Sequence, residues 1–211
     1  GTFRAENIIP TPKEMTVNDP KMYRQTEVEV LDTKEHLFFP SNRDEYYVKT
    51  DKGHVIIEGN EIWAKQTIAQ LADADGRIPD VEIHDWAVYP FRGFMHDTGR
   101  NFQTIDMLKE TIDLMSLYKI NYFHWHLTDY PAWRIECKAY PQLNDPQYQR
   151  EGRDEGRFYT YDQIREVIAY ARERGIMVIP EIDMPGHSQY FNKTVGFGMA
   201  TPQGMEVLEA C

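Results

Sequence analysis

Three stretches carry the side chains best able to do chemistry: "YFHWHLTDYPAW" (122–133), "VIPEIDMPGHS" (178–188) and "FRGFMHDTGR" (91–100). In the first, His124 and His126 flank Trp125, and Asp129 follows. Side chains on a strand alternate faces, so the two histidines share one face while Trp125 and Leu127 share the other. A His-x-His pair on a strand can hold a divalent metal, with Asp129 or Asp183 and His187 completing the shell. The same pair can instead fill an interior and hydrogen-bond to neighbouring carboxylates. The second reading is favoured, because a lone His-x-His is a weak metal signal.

In the second stretch, Glu181 and Asp183 fall on the same face as Met177 and Ile179. The apolar pair is expected in the core and the carboxylates toward the strand tip. Pro185-Gly186 forces a turn, which puts His187 at the mouth of any site. A histidine beside carboxylates can orient a substrate or tune an acid. The alternative is that one carboxylate pairs with Arg92 or a buried histidine as a structural ion. In the third stretch, Arg92 can make a forked contact with hydroxyls or a carboxylate. Asp97 is five residues on and points to the opposite face of a regular strand, so it is read as structural, paired with Arg100. Adjacent carboxylates also occur at Asp44-Glu45 and Asp154-Glu155. Paired carboxylates cleave glycosides. "REGRDEGR", however, offers no apolar wall to perturb a pKa, and it is read as a solvated loop.

The elements around these stretches follow from pattern. After Pro90, candidate strands and helices alternate: "FRGFMHD", a helix with the stripe Ile105, Leu108, Ile112 and Met115, "NYFHWHL", a polar loop over Cys137 to Tyr159, a second helix, and "IMVIPEIDM". Thr104 caps the first helix. Thr160 and Gln163 form a capping box for the second, and Gly175 stops it. Thr201-Pro202 opens a last helix. Such alternation implies a parallel sheet with right-handed crossovers. All three strands end in polar residues: His96-Asp97, Thr128-Asp129 and Glu181-Asp183. In parallel α/β sheets that is where sites are built. The part after Arg92 is about half of the ~250 residues that a closed eight-stranded barrel needs.

Before Pro90 the reading is a small mixed segment. "EYYVKT" and "HVIIEG" are strands joined by "DKG", a short turn ending in Gly53. "NEIWAKQTIAQLA" is a helix with Asn60 as N-cap and a stripe of Ala64, Ile68 and Leu71. A boundary is expected between Pro79 and Pro90, giving domains at 1–88 and 89–211.

Composition excludes several classes. The net charge of -11 repels phosphate backbones, so nucleic acid is not an expected partner. No apolar run is long enough to span a membrane. "GTFRAENIIP" has no signal-peptide pattern and reads as a processed or engineered start, which leaves export open. Cys137 and Cys211 have neither framework nor metal spacing and are expected as free thiols. No serine nucleophile elbow, phosphate-cradling loop or dinucleotide fingerprint occurs.

Together, "PFRGFMHDTGR", "KINYFHWHLTD" and "YTYDQIREVIAYARERGIMVIPEIDMPGHS" resemble, in order and approximate spacing, the β-N-acetylhexosaminidases of glycoside hydrolase family 20. "IIPTPKEM" resembles the start of that family's small N-terminal domain. The resemblance implies a small α/β domain followed by a partial (β/α)8 TIM barrel, here its first three units. It implies removal of terminal N-acetylglucosamine or N-acetylgalactosamine from glycans, with retention and without metal or other cofactor. The substrate's acetamido oxygen attacks the anomeric carbon. Carried over by motif, Arg92 binds hydroxyls of the terminal sugar, while Asp129 and His187 form a polar relay behind the acid. His126, Glu181 and Asp183 stand as candidate support around them. Tyr130 departs from the second aspartate found in many members. The family's Asp-Glu pair follows a fourth strand, whereas "TPQGMEVLEAC" resembles the helix before it. The 211 residues are therefore expected to be inactive alone and to self-associate through an open barrel edge. The resemblance also implies a periplasmic, cell-surface or secreted location. The rival readings are a metal-dependent hydrolase using His124, His126, Asp183 and His187, and a non-catalytic sugar-binding fragment using Arg92.

Overall fold

The computed structural model describes residues 7–149, 152, 154 and 156–211. The chain divides into two compact units. One runs to Arg92 and includes Leu117–Lys119; the other comprises Gly93–Ser116 and Ile120–Cys211.

The first unit is a five-stranded sheet in the order β1-β5-β3-β4-β2, with one helix. The strands are β1 (Glu14–Arg24), β2 (Glu27–Leu31), β3 (Tyr46–Asp51), β4 (His54–Gly59) and β5 (Arg77–Asp85); α1 is Glu61–Leu71. Neighbouring strands run antiparallel except β2 and β4. The Asn60 side chain accepts the Trp63 N–H and starts α1 as its sequence predicts. Trp63, Ala64, Ile68 and Leu71 then pack with Val48, Val55, Ile57, Ile78, Val81 and Ile83 in one core. Gly53 turns β3 into β4 with φ +91°, and a Cβ there would stand 1.9 Å from the Arg24 carbonyl oxygen. Pro79 does not mark a boundary. It lies inside β5, at a register irregularity against β1 where no ladder N–H is needed.

Lys119 is buried in this unit, and its ammonium has no hydrogen-bond acceptor among the described residues. Burial pushes its pKa down to about 8, against the attraction of Asp85 and with help from the repulsion of Arg92. The folded state therefore binds this proton less tightly than the unfolded chain. The penalty is complete below pH ~8 and disappears as the pH rises through the unfolded lysine value of ~10.4. Lys119→Met is expected to stabilise the protein by about 2–3 kcal/mol at pH 7. The gain should shrink to nothing in urea titrations near pH ~11. A gain independent of pH would contradict this origin.

The second unit is built on a parallel sheet in the order β10-β7-β6, with β7 (Tyr122–His126) between β6 (Gly93–Asp97) and β10 (Met177–Glu181). A two-stranded ribbon, β8 (Thr128–Asp129) and β9 (Ala132–Trp133), follows β7. The helices are α2 (Ile105–Leu117), α3 (Tyr161–Glu173), α4 (Gln189–Val195) and α5 (Pro202–Ala210). The Thr160/Gln163 capping box is formed, and Thr201 caps α5. Leu108, Ile112 and Met115 of α2 and Val167 and Ala171 of α3 pack on Phe123 and Trp125 of the sheet. The arrangement is a partial barrel: three successive strand-helix units, with α2 and α3 packed on one face of the sheet.

The opposite face departs from expectation. Met177 and Ile179 are exposed, as is Met95 on β6, across β7 from them. Alternation identifies the face of a strand but not whether anything covers it. Among the described residues, β6 and β10 each pair with β7 alone, so both outer edges are open.

The cysteines also depart from expectation. Cys137 and Cys211 form a disulfide across a separation of 74 residues. It ties the end of α5 to the loop after β9, within a cluster of Trp133, Leu143, Tyr190, Phe191, Met199 and Val207.

Candidate active site at the C-terminal strand tips

The parallel register fixes which side chains meet. Asp97, His126 and Glu181 stand abreast on β6, β7 and β10, and Met95, His124 and Ile179 stand abreast one pleat earlier. Trp125 and Leu127 are buried on the helix side, as alternation predicts. The two histidines therefore face the side where Glu181 rises, and its Oε2 lies 2.5 Å from His124 Nε2 and 2.7 Å from His126 Nδ1. The other nitrogen of His126 is 2.9 Å from Asp129 Oδ2. An imidazole bonded through both nitrogens to carboxylates is held in its protonated form. Burial alone would lower the His126 pKa; the bonds to Glu181 and Asp129 outweigh it, and the net direction is up. Burial likewise pushes Glu181 up, and the bonds from His126 and His124 pull it below its ordinary value.

Asp129 is buried at the start of the ribbon, with its carboxylate fully enclosed. The Tyr130 N–H donates to its Oδ1 at 2.6 Å, and Arg100 Nη2 lies 3.1 Å from its Oδ2. His187 Nδ1 is 3.4 Å from Oδ1. His187 is half-exposed and follows the Pro185-Gly186 turn with φ +51°, a left-handed conformation uncommon outside glycine. Such backbone settings concentrate at functional sites. The Asp183 N–H donates to Thr128 Oγ1 at 3.2 Å.

The loop after β6 completes the cluster. Asp97 grips Arg100 twice, accepting its backbone N–H at 3.0 Å and its Nη1 at 2.6 Å. This is the pairing that the sequence predicts. The loop is pressed onto β7: the N–H groups of Thr98 and Gly99 both donate to the His126 carbonyl. A Cβ on Gly99 would come within 2.9 Å of the Thr128 backbone. Arg100 was legible only as Asp97's partner. Its contacts to Asp129 and His187 depend on three loops meeting, and local spacing carries no sign of that.

Glu181 pairs with the histidines, as the structural-ion alternative has it. Arg92 belongs to the first unit. Its Nη1 donates to Asp44 Oδ2 at 2.9 Å and to the Tyr89 carbonyl, and its Nε donates to the Lys119 carbonyl. Asp154 is not merely solvated: its carboxylate accepts the Phe102 N–H at 3.0 Å. Glu155 lies outside the described residues. Three overlapping groups bring ligand atoms within 4.8 Å of one another and could in principle hold an ion: Asp97, His126 and Asp129; His126, Glu181 and Asp183; Asp129, Asp183 and His187.

Residues 89–207 match the family model "Glycosyl hydrolase family 20, catalytic domain". The chain is 42% identical over 163 residues to a beta-hexosaminidase of Vibrio furnissii, covering 68% of this chain and 27% of that one. It is 40% identical over 166 residues to one of Porphyromonas gingivalis, covering 71% and 21%. In three dimensions it resembles a beta-N-acetylhexosaminidase from Bacteroides fragilis, with TM-score 0.81 and 27% identity over 97% of this chain and 53% of that chain. It also resembles the exo beta-N-acetylglucosaminidase of Vibrio harveyi solved with N-acetylglucosamine, with TM-score 0.76 and 28% identity over 93% of this chain and 39% of that chain. The chain thus spans about a quarter of the length of these sequence relatives, and the barrel of the family is present in part. A parallel sheet with its polar cluster at the strand tips, matched over the catalytic domain, places this chain in glycosyl hydrolase family 20.

Proposed function

We propose that this chain carries the acid-supporting portion of a β-N-acetylhexosaminidase that removes terminal N-acetylglucosamine or N-acetylgalactosamine from glycans, with retention and by substrate assistance. The observation that carries the reading is the enclosed Asp129 carboxylate with His187 beside it at the strand tips. In this role Asp129 orients His187, and His187 stands between Asp129 and a general acid. His126, Glu181 and Asp183 support Asp129 from behind. Arg92 binds hydroxyls of the terminal sugar, with Asp44 fixing the plane of its guanidinium. Glycans bearing N-acetylhexosamine are the partners. The disulfide fits an oxidising compartment, in line with a periplasmic, cell-surface or secreted location.

We further propose that the 211-residue polypeptide is inactive alone, on the reading that these residues stop short of the Asp-Glu pair that follows a fourth strand in the resembled family. It is also proposed to self-associate through the open β6 and β10 edges and the exposed Met95, Met177 and Ile179. The test is incubation with a chromogenic N-acetyl-β-glucosaminide, followed by sedimentation of the same sample. No release and a concentration-dependent mass are expected. Release that survives mutation of Asp154 and Glu155, or a monodisperse monomer of high Tm, would contradict the respective claim.

The clustered carboxylates and histidines favour one competing reading, a metal-dependent hydrolase. Both His126 nitrogens are already engaged by carboxylates, which argues for a proton-carrying network instead. Elemental analysis separates the two, since stoichiometric zinc is expected only for the rival.

A further inference from the structure

Residues 32–45 join β2 to β3 with neither helix nor strand. The segment's backbone bonds run from Leu37 to the Lys34 carbonyl, from Asn42 to Phe39 and from Glu45 to Asn42, and all are internal to it. Two glutamates fasten its first part to the sheet. Glu58 of β4 accepts the Thr33 hydroxyl at 2.9 Å on Oε1 and the His36 N–H at 3.2 Å on Oε2, and His36 Nδ1 lies 2.7 Å from the same Oε2. Glu45 accepts the Phe38 N–H at 2.6 Å on Oε1 and the Phe39 N–H at 2.8 Å on Oε2. Nε2 of His84, on β5, lies 2.6 Å from Oε1. Both carboxylates are fully enclosed. We propose that residues 32–41 form an acid-released strap, clamped over the polar face of the first sheet by Glu45 and Glu58 as ionised groups and freed when these take up protons.

The clamp is conditional because its anchors are ionisable. A carboxylate only accepts hydrogen bonds, whereas a carboxylic acid carries an O–H that must itself find an acceptor. Here the enclosed oxygens are met by donors. The apolar hold is small by comparison: Phe38 and Phe39 rest on His84 and Trp86 but remain 59% and 46% exposed. The far end of the segment is tied by neutral amides, Asn42 to the Ala87 carbonyl and Asn60 to the Arg43 carbonyl, and serves as the hinge.

The neighbouring charges leave the switch to the two glutamates. One row across the sheet reads Glu14, His84, Tyr47, Glu58 and Leu31 on β1, β5, β3, β4 and β2. His84 also approaches Glu14, at 3.9 Å, and the Tyr47 hydroxyl is spent on Glu82. Lys49 and Glu29 stand in the next row on the same face, with Glu82. Asp44, beside Glu45, turns instead to Trp63 and Arg92. Protonating His36 or His84 adds charge to bonds already made and tightens the clamp. Burial pushes Glu58 up, and the bonds from His36 and Thr33 outweigh it, leaving it below its ordinary value. Its share of the clamp is therefore complete above the unfolded glutamate value of ~4.3 and is lost as the pH falls through the depressed one.

The test is hydrogen exchange in the 211-residue chain from about pH 7 to about pH 3, expressed as protection factors so that the intrinsic pH dependence of exchange is removed. The His36, Phe38 and Phe39 amides are expected to lose protection together below pH ~4.3, by up to about tenfold per pH unit for each proton taken up. The amides of β3 and β4 should stay protected over the same range. At pH 7, Glu45→Gln should lower protection at Phe38 and Phe39 by about tenfold or more, the scale of one hydrogen bond to a charged group. Protection at these amides that is flat with pH, or that is lost only together with β3 and β4, would overturn the proposal. If Glu45→Gln does not fold, the wild-type profile decides. The strap is independent of the proposed hydrolysis, so the two can fail separately.

Discussion

Replacing Cys137 and Cys211 together by alanine is expected to lower stability by about 4 kcal/mol, the chain-entropy value for a loop of this length. The disulfide closes 74 residues that include α3, β10, α4 and α5, all of the chain after the ribbon. Without it, α5 is held by Val207 and a few neighbours in a small cluster. The loss should appear in urea unfolding as a lower midpoint, with the larger effect on the second unit. Reduction of the wild type should reproduce it, because the mechanism acts on the unfolded chain and not on packing. A change under ~1 kcal/mol would mean that the C-terminal helix is secured by its packing alone.

Arg134→Met is expected to cost about 3–5 kcal/mol, comparable with uncovering a buried ionic partner. Arg134 is buried among the loops at the strand tips. Its Nε donates to the Thr98 carbonyl at 3.0 Å and its Nη2 to the Gly99 carbonyl at 3.3 Å. Its Nη1 donates to the Asp154 and Arg157 carbonyls at 3.1 and 2.8 Å. One side chain thus pins the loop after β6 to the loop before α3. Methionine fills similar space but removes every one of these donors, and a buried carbonyl left unpaired costs about 1–3 kcal/mol. Thr98 and Gly99 immediately precede Arg100, so the loosening should spread to the candidate site. Hydrogen exchange at Thr98 and Gly99, whose N–H groups bond to the His126 carbonyl, is the sensitive readout. A melting curve unchanged by the substitution would show that the loops hold one another without the guanidinium.

Much of the second unit was legible because its signals are local. The capping box at Thr160 and Gln163, the stripe of Leu108, Ile112 and Met115, and the alternation around Trp125 each describe a few neighbouring residues, and each is formed. In the first unit the Asn60 cap and the Gly53 turn are local in the same sense. The strands β1 and β2 were not visible. The sequence "EVEVL" of β2 does alternate, but Val28 and Val30 are exposed and so is most of β1, so neither strand shows a core face, and their pairing with β5 and β4 is a tertiary fact. The short helix α4 lies behind a Pro-Gly turn and reads as loop. In the site, Asp129, His187 and the His126–Glu181 pair could be named from strand periodicity and motif. Arg100 and Arg134 could not be given their full roles. An arginine in a polar loop looks solvated until three loops converge on it. The disulfide fails for the same reason, because spacing rules apply to near cysteines and these are distant.

The central claim is that the Asp129–His187 cluster supports the acid of an N-acetylhexosaminidase. Its most direct test is a graft in which residues 89–207 replace the matching segment of the Vibrio furnissii relative, assayed on a chromogenic N-acetyl-β-glucosaminide. The graft is expected to release the chromophore, with kcat falling about 10²-fold or more in Asp129→Asn, the scale of an acid-catalytic contribution. A folded graft without turnover, or one whose kcat is indifferent to Asp129→Asn and His187→Gln, would contradict the account.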